Sequence, residues 1–256
     1  NEITFDEMID YRKAAGMDFR KQPPGIVEDK ISQGSLDLPY ACRRAMKLTS
    51  KPLKFTVTGP HMLAKTLVDN HYPDIQSLTM AIAETLAKQI SLLDAPVVQI
   101  DEANLPGHPH EWQWASDAIN LMLDQVKGKS AVHLCFGNYG GQTIQKGSWE
   151  NLIAYLNSLH VDHIVMETRN RPPEELEEFK ELRPEIGFGL GVIDIKSNVV
   201  ETADDVARQI ERAQTLLGPG RVKYVHPDCG FWMLKRPIAD AKIRAIVEGR
   251  NLFEEI

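Results

Sequence analysis

His133 and Cys135 stand two residues apart, and Cys229 follows far downstream in the run Pro227-Asp228-Cys229-Gly230. On a β-strand, side chains at i and i+2 leave the same face, so an imidazole and a thiol at this spacing can reach one ion. A thiolate beside an imidazole favours zinc over magnesium or calcium. Glu167 closes another apolar run and adds a carboxylate. One histidine, two cysteines and one carboxylate, His133, Cys135, Cys229 and Glu167, would complete a four-coordinate set from three segments. A catalytic zinc needs an exchangeable position, so one ligand, the carboxylate before the others, would have to be displaceable. The alternative is that these are ordinary buried residues, because His-x-Cys also occurs in cores.

Such residues need elements to bring them together. Six short runs rich in β-branched residues recur, at 53–58, 96–101, 131–136, 163–168, 186–192 and 222–226. Nearly continuous apolar runs suit strands covered on both faces. Helical periodicity separates them: Leu78, Ile82, Leu86 and Ile90 repeat at i+4, and Thr202-x-x-Asp205 opens a second amphipathic stretch as a capping box would. The segments 149–159 and 238–247 read the same way. Alternating strands and helices imply βαβ units and a parallel sheet, hence an α/β fold of the TIM (β/α)8 barrel type. Six strands are two short of eight, so the first strands are expected upstream of Asn1 or otherwise absent from the given sequence. A single catalytic barrel over 1–256 is expected, with 1–50 as an N-terminal helix (Thr4 to Ala15) and an irregular connection.

In a parallel barrel the carboxyl ends of all strands converge on the face that carries active sites. Almost every run here ends in reactive residues: Thr58-Gly59, Asp101-Glu102, His133-x-Cys135, Glu167-Thr168-Arg169 and Asp228-Cys229. Asp101, Glu102, Thr58 and Gly59 are therefore candidates for that face. Any one of them could equally be a strand-ending cap. His108-Pro109-His110, near Trp112 and Trp114, reads as a surface turn rather than a second metal site. The run Gly137 to Gly141 reads as an active-site loop, and Phe231-Trp232-Met233 as a pocket wall or ordinary packing.

The chain of 256 residues is 43% hydrophobic and 25% charged, with a net charge of -7. That composition fits an ordinary globule and lacks the basic footprint of a nucleic-acid or membrane-surface binder. No apolar run is long enough to span a bilayer, and the first residues do not resemble a signal peptide, so a cytoplasmic protein acting on small molecules is expected. Three widely separated cysteines argue against a disulfide framework. Cys42, without metal-like neighbours, reads as structural.

Taken in order, Thr58-Gly59-Pro60, Gln99-Ile100-Asp101-Glu102, His133-x-Cys135, Glu167-Thr168-Arg169, Gly189-x-Gly191-Val192-x-Asp194-Ile195-x-Ser197 and Pro227-Asp228-Cys229-Gly230 resemble the blocks of the cobalamin-independent methionine synthase family, in its C-terminal catalytic barrel. The resemblance implies a zinc ion on His133, Cys135, Glu167 and Cys229, a substrate thiol activated there, a methyl-folate donor, and Asp101 binding the amino-acid part of homocysteine. Lys196 stands where the family's methionine synthases carry a histidine thought to handle the leaving amine's proton, and Ala103-Asn104 replaces Pro-Ala after Asp101-Glu102. In these departures the chain is similar to a short branch that also contains epoxyalkane:coenzyme M transferase. The expected function is zinc-dependent methyl transfer to a thiol such as homocysteine. The alternatives are alkylation of another thiol, such as coenzyme M by an epoxide, or a non-catalytic metal-binding barrel. Lys196 is then a catalytic candidate that could bind a sulfonate or carboxylate or assist an alkoxide; a solvated loop lysine is the other reading.

Overall fold

The computed structural model describes residues 25–138, 143, 145–231 and 234–255; the helix expected at Thr4 to Ala15, most of the glycine-containing loop after Asn138, and Trp232-Met233 lie outside them. Along the chain the strands are β1 (Ile26–Val27), β2 (Lys54–Thr58), β3 (Val68–Asp69), β4 (Val97–Glu102), β5 (Lys129–Leu134), β6 (His163–Met166), β7 (Gly187–Ile193) and β8 (Val222–Pro227). The helices are α1 (Leu38–Met46), α2 (Pro60–Ala64), α3 (Ile75–Ile90), α4 (Trp112–Leu123), α5 (Ile153–Ser158), α6 (Ala203–Leu217) and α7 (Arg236–Glu254). β1 and β3 form a small parallel pair, and the other strands form one six-stranded parallel sheet in the order β2-β4-β5-β6-β7-β8. All six strands expected from the β-branched runs are present. Among the described residues no helix is long and apolar enough to cross a membrane.

The two faces of the sheet differ in chemistry. Val98 and Ile100 of β4, Val132 and Leu134 of β5, Ile164 and Met166 of β6 and Phe188 and Leu190 of β7 are buried against the helices. They meet Leu78, Ile82, Leu86 and Ile90 of α3, Ile119 and Met122 of α4 and Val206 and Ile210 of α6, so the main core is the shell between sheet and helices. The other face is polar, with Lys54, Gln99, Asp101, His133, His163 and Tyr224 at alternate positions. Lys54 Nζ on β2 lies 3.2 Å from His163 Nε2 on β6 and 5.4 Å from the centroid of the Tyr224 ring on β8. In a flat sheet β2 and β8, five spacings apart, would be separated by about 24 Å. The sheet is therefore curled into a barrel-like wall, although among the described residues no strand joins β8 to β2.

Local signals account for the helix ends. The Asp74 carboxylate accepts from Ser77 N at 2.7 Å to start α3, and the Thr202–Asp205 capping box forms as its spacing anticipates at the start of α6. The segment after His110, read as a loop around two tryptophans, instead runs into α4, with Trp112 and Trp114 packed on the core. Cys42 is a buried residue of α1, consistent with a structural role.

The packing of α6 on α7 yields a sharp test. A Cβ on Gly249 of α7 would lie 2.4 Å from Val206 Cβ and 2.7 Å from the Ala203 carbonyl oxygen. Alanine gains about 1 kcal/mol of helix propensity over glycine, but overpacking costs about 1–3 kcal/mol, and a backbone carbonyl yields little. Gly249→Ala is expected to lower stability by about 1 kcal/mol in urea unfolding; an equal or higher midpoint would show that the two helices are not in such close contact.

Candidate metal centre and active face

The strand register aligns the chemistry. Thr58 pairs with Asp101, Asp101 with His133, His133 with Val165 and Val165 with Gly189, one row across five strands. Just beyond β5 and β8, Cys135 and Cys229 bring their sulfurs to His133, one ligand atom from each residue lying within 4.8 Å of the others. His133 is buried, and its Nδ1 donates to the Val165 carbonyl at 2.9 Å. This fixes the tautomer and leaves the lone pair on Nε2, a buried atom without a hydrogen-bond partner. The neighbouring Cys135 sulfur and burial push the Cys229 thiol well above the usual cysteine range. Two adjacent sulfurs, Cys135 buried and Cys229 half-buried, and an imidazole nitrogen without a hydrogen-bond partner fit a thiophilic cation.

Glu167, the fourth member of the expected set, is deeply buried but otherwise engaged. Its Oε1 accepts from Lys196 Nζ at 2.5 Å and its Oε2 from the Phe136 amide at 2.8 Å. The Lys196 side chain is 8% exposed, which overturns the reading of a solvated loop lysine.

Two buried charges hold these loops. Asp228, next to Cys229, accepts from the amides of Thr168, Arg169 and Asn170 at 3.0, 2.9 and 2.7 Å, tying the loop after Glu167 to the end of β8. A side chain at position 191 would collide with this carboxylate, since a Cβ there would lie 2.1 Å from Asp228 Oδ1, hence Gly191 in the Gly-x-Gly-Val run. Lys242 of α7 is fully buried; its ammonium donates to Glu201 Oε2 at 2.8 Å, to the Asp194 carbonyl at 2.9 Å and to the Val199 carbonyl, anchoring the segment that carries Lys196. A lysine inside an amphipathic helix normally reads as solvent-facing, so only the tertiary structure reveals it.

Comparison with known proteins decides the family. Residues 13–251 match the family described as cobalamin-independent synthase, catalytic domain. This chain belongs to that family. Methionine synthase of Pyrococcus furiosus is 33% identical over 214 residues, which are 81% of this chain and 59% of that protein. Methionine synthase of Sulfurisphaera tokodaii is 30% identical over 243 residues, 94% of this chain and 68% of that protein. The chain thus spans less than two thirds of the length of the Pyrococcus protein. A B12-independent methionine synthase from Shewanella sp. W3-18-1, solved in complex with selenomethionine, superimposes with a TM-score of 0.79 at 23% identity, covering 90% of this chain and 70% of that one. That likeness supports the barrel-like α/β fold expected from the strand and helix pattern.

Among the remaining candidates, this member of the cobalamin-independent synthase family separates Asp101 from Glu102. Asp101 faces the inner side, accepts from Gln99 Nε2 at 2.7 Å and has its pKa raised by burial, partly opposed by His133. Thr58 is exposed beside it. The Gly59 amide donates to the Asp101 carbonyl at 2.7 Å, and a Cβ on Gly59 would lie 2.6 Å from Glu102 Oε2, so Gly59 shapes the turn. Glu102 is fully buried on the helix side, where it accepts from the Met62 and Asn104 amides at 3.0 and 3.1 Å and faces His61. Its carboxylate therefore sits on the helix side of β4, opposite to that of Asp101. His108, His110 and Glu111 also gather nearby, but Lys65 Nζ, 2.8 Å from Glu111 Oε1 and 3.5 Å from His108 Nδ1, already brings a cation there.

His61 was not singled out by sequence, yet it is buried between Glu102 (3.4 Å) and Glu111 (2.6 Å). Burial alone would lower its pKa, but the two carboxylates outweigh it and hold the imidazole above its usual value. A folded pKa above the unfolded one (about 6.5) contributes stability in full below the unfolded value, lost as pH rises through the folded value. The stability difference between the native chain and His61→Gln, from urea midpoints across about pH 5 to 9, should therefore shrink as pH rises; a difference that grows with pH would contradict this clamp.

Proposed function

We propose that this chain is the catalytic barrel of a zinc-dependent enzyme that moves a methyl group onto a substrate thiol such as homocysteine, working in a reducing compartment such as the cytoplasm. The observation that carries the reading is the convergence of His133, Cys135 and Cys229 around an imidazole nitrogen with no other partner. Three free cysteines suit a reducing environment, and family membership supports the methyl-transfer chemistry.

His133, Cys135 and Cys229 would hold the ion, with Glu167 beside them. Bound zinc supplies the positive charge under which a thiol ionises at neutral pH and keeps its sulfur in place. The chain's own residues do the rest. Asp101, in the same row as His133, offers a carboxylate to the ammonium of an amino-acid thiol, and Gln99 fixes its direction. In the reaction the thiol proton departs, sulfur forms a bond to the methyl carbon, and the bond from that carbon to the donor nitrogen breaks. The nitrogen leaves as an amine once it takes up a proton. A methylated folate has the required nitrogen-bound methyl. Lys196 is committed to Glu167, so its role in the pocket is to place that carboxylate and its own positive charge.

Cys229→Ser is expected to abolish tight zinc retention, read as metal content after dialysis. Homocysteine should change the visible spectrum of the cobalt-substituted chain, and an unchanged spectrum would refute thiol activation here. Hydrogen bonds to charged groups contribute about 1.5–3 kcal/mol. Asp101→Asn should therefore raise the homocysteine KM roughly 10- to 100-fold with zinc content unaltered; an unaltered KM would remove Asp101 from the substrate site.

A further inference from the structure

On the inner face of the barrel wall a chain of hydrogen bonds climbs from the foot of β2 to Asp101. Lys54 Nζ donates to Gln99 Oε1 at 3.0 Å, and Gln99 Nε2 donates to Asp101 Oδ1 at 2.7 Å. Lys54 pairs with Val97, Thr56 with Gln99 and Thr58 with Asp101, so the three side chains stand in successive rows of the wall. Gln99 is only 8% exposed, and its two ends are not interchangeable. An ammonium only donates and an ionised carboxylate only accepts, so the amide oxygen must meet Lys54 and the amide nitrogen must meet Asp101.

Lys54 is itself confined from across the barrel. Its Nζ lies 3.2 Å from Nε2 of His163 on β6, a residue 1% exposed, and the His163 ring packs on Tyr224 of β8 with centroids 4.3 Å apart. We propose that Lys54 and Gln99 are positioning residues that aim the Asp101 carboxylate, Lys54 acting through Gln99, and thereby make the site select thiols that carry an ammonium group. This rests on Asp101 being the partner of an amino-acid thiol's ammonium, as read above. Without Lys54 the Gln99 oxygen would either stay buried without a donor or turn toward Asp101, where it repels an ionised carboxylate. In both cases Asp101 is directed less firmly toward an ammonium. A thiol without an amino group makes no use of that direction and is indifferent to the change.

Thiol binding to the cobalt-substituted chain, followed in its visible spectrum, tests this with two ligands: homocysteine and desaminohomocysteine, the same thiol acid without the amino group. Gln99→Met is expected to weaken homocysteine roughly tenfold, the scale of losing a hydrogen bond to a charged group, and Lys54→Met at least about threefold, while desaminohomocysteine stays within about twofold in both. The double variant should lose no more selectivity than Gln99→Met, since Lys54 acts through Gln99. A merely structural role would weaken the two thiols alike. If Lys54→Met does not fold, Lys54→Gln, whose amide can present either end to Gln99, carries the same expectation. Equal losses for both thiols, unchanged selectivity in either single variant, or a further loss in the double variant would overturn the relay. Asp101→Asn tests the premise separately: a variant that keeps the native preference for homocysteine would show that Asp101 is not the ammonium's partner. If instead Asp101→Asn loses that preference and the Lys54 and Gln99 variants keep it, only the relay fails.

Discussion

Everything at the active face depends on the register of parallel strands in a curled sheet. Because side chains alternate, the row Thr58, Asp101, His133, Val165 and Gly189 faces inward, and the residues two further on, Cys135, Glu167 and Gly191, form the next row toward the strand ends. A one-residue slip of β5 would turn His133 and Cys135 into the helix-packed core and bring Val132 and Leu134 to the pocket. The aliphatic shell prevents that slip: Val132, Leu134, Ile164 and Met166 are all fully buried on the helix side. The apolar core thus specifies which side chains reach the candidate metal centre.

Above the strands, buried charge takes over from apolar packing. Asp228 and Glu167 lie near enough that, after burial itself, Glu167 is the main cause pushing the Asp228 pKa up to about 7, against three backbone amides that favour its ionised form. Lys196 brings a compensating charge to Glu167, and Lys242 does the same for Glu201. Breaking such a pair by deleting one partner typically costs about 3–5 kcal/mol, because the survivor stays buried. The loops therefore have few alternative arrangements, and residues separated by long stretches of chain are held together at the strand ends.

How much of this was legible in the sequence follows from the range of each interaction. The six strands and the capping box at Thr202 are local signals, and their structure agrees closely with them. The start of α4 was obscured because His108-Pro109-His110 reads as a turn, and its first residues carry bulky rings that pack only in three dimensions. The inward cluster of His133, Cys135 and Cys229 was legible because spacing and strand ends suffice to place it. Glu102 lies buried on the helix side of β4. One step along a strand changes the face, so its neighbour Asp101 points inward while Glu102 turns to His61. Lys242 and His61 carry no local signature, and the strand-end position of Asp228 does not announce its amide partners, since each is defined by groups from other elements.

The polar inner face links the floor of the barrel to the Asp101 carboxylate. Lys54 Nζ donates to Gln99 Oε1 at 3.0 Å, while Gln99 Nε2 donates to Asp101 Oδ1 at 2.7 Å. An amide has one acceptor end and one donor end, so the ammonium below dictates which end meets the carboxylate above. His163, whose pKa burial and Lys54 lower to about 3, stays neutral and accepts from the same ammonium at 3.2 Å. Burial draws Lys54 itself down to about 8, with Asp101 opposing the shift, so floor and carboxylate are electrostatically coupled through one glutamine. A purely aliphatic interior would fill the barrel equally well but would leave Asp101 free to rotate, whereas the Lys54–Gln99 relay fixes the direction in which its carboxylate faces the interior.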